Sequence, residues 1–150
     1  MPLYLGAPQR AVSYLTANAS LAATAGAWQT VTSWTDILTV QGRLFTAGEI
    51  PLPTTTECWK ATVSGTIVCG SGNSANLEIG WAPVNNGAED IAGRLTDVVN
   101  AGRFLNFSST QILIGAALRT WKFRLVFSSL AAGTPYLQKG AVVEFTRLKS

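Results

Sequence analysis

The sequence predicts an all-β antiparallel sandwich of the jelly-roll type, and three observations predict it. Two-residue alternation of apolar and polar side chains recurs along the chain, clusters of Gly, Asn, Ser and Pro separate the alternating runs, and no stretch carries the pattern of a long amphipathic helix. Many short alternating runs divided by turn residues cannot bury their apolar faces singly. They do so by stacking two sheets.

The longest run is Glu57 to Cys69, where Trp59, Ala61, Val63, Gly65, Ile67 and Cys69 alternate with Cys58, Lys60, Thr62, Ser64, Thr66 and Val68. The same period returns at Leu77, Ile79 and Trp81, and again at Trp121, Phe123, Leu125 and Phe127. These ten apolar or aromatic positions, Trp59, Val63, Ile67, Leu77, Ile79, Trp81, Trp121, Phe123, Leu125 and Phe127, are the predicted core. Shorter strands are predicted at Trp28 to Trp34, Ile37 to Val40, Arg43 to Phe45, Phe104 to Phe107, Gln111 to Ile114 and Ala141 to Leu148. Residues 88–100 fit a helix through Ile91, Leu95 and Val98, or a strand ending in β-branched residues; the strand is favoured. Gly70-Ser71-Gly72, Asn85-Asn86-Gly87, Ala101-Gly102 and Ala132-Gly133-Thr134-Pro135 supply turn chemistry, and the first of these reads as a hairpin turn.

A chain of 150 residues with 47% hydrophobic residues holds one domain with a real core. Residues 27–150 are assigned to it. Residues 1–26 form an extended N-terminal arm in this reading, with apolar groups too sparse for a core and too many for a purely solvated tail. Leu3, Tyr4, Leu5 and Tyr14 are its expected anchors on a partner. Trp28 and Trp34 share one face of a predicted N-terminal strand at a sheet edge or subunit boundary, and complete the expected partner interface.

The net charge of +3 comes from eleven basic and eight acidic residues with no run of one sign. Arg119, Lys122 and Arg124 are the best basic set, too few for a phosphate-neutralising face, so nucleic acid is not an expected partner. No apolar run approaches the ~18 residues that cross a bilayer as a helix. After Arg10 a run of small residues ends in an Ala-x-Ala signal, but Ser13, Thr16, Asn18 and Ser20 are too polar for a signal-peptide core.

Catalytic equipment is sparse. The chain contains no histidine, which removes Ser-His-Asp and Cys-His arrangements and the usual zinc ligand sets. No cofactor or metal is expected. Glu89, Asp90 and Asp97 are the nearest thing to an acidic cluster and read as a solvated loop. Cys58 and Cys69 lie eleven residues apart on one predicted strand. Extended chain holds them roughly 36 Å apart on opposite faces, so free thiols in a reducing compartment are expected.

From about Gly42 onward the order of features resembles the tumour-necrosis-factor and complement-C1q-like jelly rolls. Arg43-Leu44-Phe45, Ile50-Pro51-Leu52-Pro53 and the long strand through Trp59 are similar to that family's run into its longest strand, and Val143-Glu144-Phe145-Thr146-Arg147-Leu148 to its terminal strand. The resemblance implies a homotrimer. The small-residue-rich, histidine-free composition resembles bacteriophage virion proteins, which implies a place on the virion after synthesis in the host cytoplasm. Two function classes follow: a trimeric capsid decoration or cement protein bound to the major capsid protein, or a receptor- or glycan-binding tip of a tail fibre or spike. The first is favoured because a tip ordinarily follows a long shaft in the same chain. A carboxylate-dependent glycosidase is a third, minor reading.

Overall fold

The computed structural model describes residues 9–22, 26, 28–38, 49–52, 56–69, 75–83, 92–99, 104–115, 120–127 and 135–149, with the backbone alone for 51, 75–77, 82–83, 92–99 and 149. Its strands are β1 (Arg10–Leu15), β2 (Ala19–Ser20), β3 (Gln29–Thr30), β4 (Trp34–Leu38), β5 (Glu49–Pro51), β6 (Cys58–Val68), β7 (Ala75–Pro83), β8 (Ala92–Val99), β9 (Phe104–Ile114), β10 (Thr120–Phe127), β11 (Tyr136–Leu137) and β12 (Val142–Lys149). They form two antiparallel sheets. The larger, first sheet runs β2-β11-β6-β12-β1-β4, with β9 on the other side of β6; the second runs β3-β10-β7-β8, with β5 also on β10.

The alternation in β6 does what its period dictates. Trp59, Ala61, Val63 and Ile67 are fully buried, as is Cys69 just beyond the strand, while Lys60 on the other face is exposed. Nine of the ten predicted core residues are buried, and the side chain of Leu77 lies outside the described residues. The two layers meet through aromatic rings. Trp81 of the second sheet packs edge-on against Phe145 of the first at 5.3 Å and against Phe123 at 5.9 Å, and Phe107 of the first sheet stacks on Phe123 at 6.3 Å. Such contacts add about 0.5–1.5 kcal/mol each beyond the burial of area.

Several expectations are corrected. Residues from Arg10 onward belong to the sandwich: β1 lies between β12 and β4, and Ala11, Leu15, Ala19 and Leu21 are buried. The chain from Met1 to Pro8 lies outside the described residues. The single strand predicted from Trp28 to Trp34 is instead two pieces in different sheets, β3 and the start of β4, because the chain crosses between the layers after Thr30. Trp28 and Trp34 therefore do not share a strand face. Phe104 to Phe107 and Gln111 to Ile114 are one continuous strand, β9, paired with β6 along its whole length. Residues 92–99 are a strand, in agreement with the favoured reading. Gly70-Ser71-Gly72 lies outside the described residues; β6 and β7 on either side of it belong to different sheets and are not hairpin partners. Arg43 to Phe45 lies outside the described residues, whereas Ile50 and Leu52 of the resemblance are buried.

Candidate functional site

The outward face of the first sheet carries the features that packing leaves unexplained. Antiparallel pairing places Tyr14, Val142, Ser64 and Ser108 in one row across β1, β12, β6 and β9. Rows on either side hold Thr62 opposite Thr110 and Thr66 opposite Asn106. The Thr62 and Thr110 hydroxyls lie 3.0 Å apart, and the Thr66 hydroxyl donates to Asn106 Oδ1 at 2.6 Å. The middle of β6 and β9 thus presents an uncharged platform of hydroxyl and amide groups.

Large apolar side chains flank that platform. On β9, Phe104 is 66% exposed, Ile112 43% and Ile114 55%. Across the sheet, Ile37 is 62% exposed and Leu38 45% on β4, with Leu148 of β12 at 54%. Among the described residues β9 pairs with β6 and β4 with β1, so both strands have a free edge. Exposed apolar groups gathered on one surface mark contact surfaces.

Of the anticipated interface residues, Leu3, Tyr4 and Leu5 lie outside the described residues. Tyr14 stands half-buried on the outward face of β1. Trp34 is half-buried against the core and its indole donates to the Val31 carbonyl at 2.8 Å; Trp28 lends its carbonyl to the Arg124 guanidinium at 2.9 Å. The Trp34 ring serves the fold at this contact, and the Trp28 bond is made by its backbone. Arg124 is engaged by the same bond, and Arg119 lies outside the described residues, so the basic set does not present three free cations.

The apolar residues of β9 were not anticipated, although a signal was present. Phe104, Ile112 and Ile114 fall on the opposite parity from Leu105, Phe107 and Leu113, so one strand long enough to hold all six must turn half of them outward.

Glu57, Asp36 and Glu144 hold structural partners. Glu57 is buried, 3.8 Å from Arg147 Nη2, and accepts from the Trp59 indole at 3.5 Å. Asp36 accepts from the buried Ser13 hydroxyl at 2.6 Å. Glu144 takes a two-pronged bond from Arg10, both contacts 2.8 Å. Those hydrogen bonds hold the Glu144 carboxyl below its ordinary range, against partial burial, with the charges of Arg10 and Lys60 and a bond from Thr146 assisting. Glu89 and Asp90 lie outside the described residues, and Asp97 is placed by its backbone alone. Among the described residues no three His, Cys, Asp or Glu side chains gather as a metal site, and no helix is long and apolar enough to cross a membrane. Cys58 and Cys69 stand at opposite ends of β6, and burial pushes the Cys69 thiol above its ordinary value.

No family model matches the chain, and no curated protein matches it. Solved structures do. Murine APRIL at pH 5.0 superposes with a TM-score of 0.62 at 9% identity, covering 95% of this chain and 100% of that one. Murine APRIL at pH 8.0 gives 0.59 at 10% identity, covering 93% and 100%. The Eiger TNF of S. frugiperda gives 0.59 at 9% identity, covering 95% and 94%. The fold is therefore that of the tumour-necrosis-factor jelly roll, an all-β two-sheet antiparallel sandwich. At such low identity the likeness concerns the fold.

Proposed function

We propose that the chain is a non-enzymatic, homotrimeric structural module, a decoration or cement protein bound to the major capsid protein of a bacteriophage head. The observation that carries the assembly is the exposed apolar side chains at both edges of one sheet: Ile112 and Ile114 at one end of β9 with Phe104 at its other end, and Ile37 and Leu38 on β4. Four strand spacings, about 19 Å, separate the edges. Different patches on one subunit suit a head-to-tail contact, which satisfies every copy only when the ring closes. The resemblance to tumour-necrosis-factor and C1q-like jelly rolls supports a count of three. The virion reading rests on composition: 13% charged residues, about half the usual share, with abundant small residues and no histidine.

Sedimentation equilibrium tests the assembly. A trimer is expected for the wild type, and Phe104→Ser with Ile114→Ser is expected to lower its stability without unfolding the sandwich. A concentration-independent mass near 15.9 kDa for the wild type would sink the trimer. Cryo-electron microscopy of particles whose genome encodes this chain tests its place: density for three copies at capsomer junctions supports the cement role, and density at a tail tip replaces it with the receptor-binding role.

A further inference from the structure

The first sheet contains a second feature, independent of how the subunits assemble. Between β1 and β2, residues Thr16 to Asn18 leave the ladder, and opposite them Gln138 to Gly140 do the same between β11 and β12. The two interruptions lock together. Gly140 N–H donates to the Leu15 carbonyl at 2.7 Å, Lys139 N–H to Asn18 Oδ1 at 2.9 Å, and Gln138 N–H to the Thr66 carbonyl at 2.9 Å. Gly140 has φ of +90°, which lets the backbone fold back without a side chain in the way. The result is a cleft of about 440 Å³ lined by Tyr14, Leu15, Thr16, Lys139 and Gly140.

The lining is chemically selective. Leu15 is buried, and the half-buried ring of Tyr14 lies beside exposed Thr16 and Lys139. Lys139 is the cation of the lining, and no carboxylate is recorded as its partner among the described residues. The cleft lies on the same face of the sheet as the hydroxyl platform. Tyr14 shares its cross-sheet row with Ser64 and Ser108, and the Gln138 bond places the second turn directly beside Thr66. From Tyr14 to Ser64 is two strand spacings, about 10 Å.

We propose that this cleft and platform bind a carbohydrate bearing a single carboxylate, of the sialic or uronic acid class. A sugar ring presents an apolar C–H face to Tyr14, and its carboxylate takes a charge-assisted bond from Lys139. Its neighbouring residue lies over Ser64, Thr66 and Asn106. Hydroxyl and amide groups there both donate and accept, as sugar hydroxyls do. One cation in the cleft suits one negative charge, because Glu144 and Lys60, the charged groups in and beyond the Thr62 row, stand at the end of the platform away from Thr66, and it disfavours polyphosphate or heavily sulfated chains.

Titration of the intact isotope-labelled protein with sialyllactose, lactose and acetate, followed by amide NMR shifts, tests this. Sialyllactose at low-millimolar concentration is expected to move Tyr14, Thr16, Lys139 and Gly140 together with Ser64 and Thr66. Lactose should bind about ten-fold more weakly for lack of the charged bond, and Lys139→Ala should reduce sialyllactose to the lactose level. Tyr14→Ala should weaken both sugars. Equal binding of lactose and sialyllactose overturns the acidic specificity. Acetate shifting the cleft as strongly as sialyllactose reduces the site to an adventitious anion only and overturns the sugar class, and shifts from none of the three overturn the site. The unchanged amide spectrum of Lys139→Ala away from the cleft shows that the fold is intact in either case.

Discussion

Gly65 sits where β6 changes partners, from β12 over residues 58–64 to β11 at Ile67 and Val68. A Cβ at position 65 would stand 2.8 Å from Ala141 Cβ and 3.2 Å from Leu137 Cδ1. Ordinary contact begins near 3.4 Å, so Gly65→Ala must open this junction by about 0.6 Å. The Leu137 methyl can rotate aside, but Ala141 Cβ is tied to its own backbone. The link between β11 and β12 has to move, and overpacking of this kind costs about 1–3 kcal/mol. Loss of glycine's freedom in the unfolded chain returns about 0.4–1 kcal/mol. A net destabilisation of about 1–2 kcal/mol is therefore expected, read as a lower urea midpoint at unchanged slope and fixed protein concentration. Ala141→Gly removes the nearest obstacle, so Gly65→Ala should be milder in that background by about 1 kcal/mol. A Gly65→Ala variant as stable as wild type, or a cycle with no coupling, would refute the packing described here.

Trp121→Ala should cost about 3–5 kcal/mol, since the ring is buried and its indole donates to the Ile114 carbonyl of the other sheet at 3.0 Å; a wild-type melting curve would mean the strand register is wrong. The Arg10–Glu144 pair sets an acid limb. The folded carboxyl titrates below the ordinary 4.5, so its contribution is complete above that pH and is lost as pH falls through the depressed value. Arg10→Ala should flatten the loss of urea midpoint below pH 4.5, and an unaltered acid limb would discount the pair. Burial keeps Cys69 protonated where a free thiol begins to ionise, so a thiol reagent on the native protein at pH 8 should label half-buried Cys58 first. Mass spectrometry of the labelled peptides reads the order, and prior labelling of Cys69 would contradict its burial.

The arm and β9 show why parts of the fold escaped the sequence. In β1 the inward residues are Ala11, Ser13 and Leu15, while the larger Val12 and Tyr14 face outward. Hydrophobic size therefore points the wrong way, and the strand is hard to recognise until Ser13 finds Asp36 across the ladder. In β9 the inward face carries Ser109 and Gln111 between Phe107 and Leu113, so the apolar signal breaks in the middle and one strand reads as two. The strand expected from Trp28 to Trp34 fails in another sense. The even spacing of the two tryptophans spans residues where the chain leaves one sheet for the other, and a local spacing carries no sign of such a change of layer.

Period-two alternation by itself determined the all-β class, the inward register of β6, β7 and β10, and the tryptophan-centred core, because burying one face of a strand is a local requirement. Long-range pairing decided everything that depends on which strands are neighbours. The register of β6 against β9, whose paired platform residues are 40 to 48 positions apart, assembled Thr62, Ser64, Thr66, Asn106, Ser108 and Thr110 into one platform. The pairing of the chain's two ends, β1 with β12, brought Tyr14 and Thr16 to Lys139. Those contacts join residues far apart in the chain, and the free energy that selects them comes from the collective closure of two sheets around one core, which no local window of sequence contains.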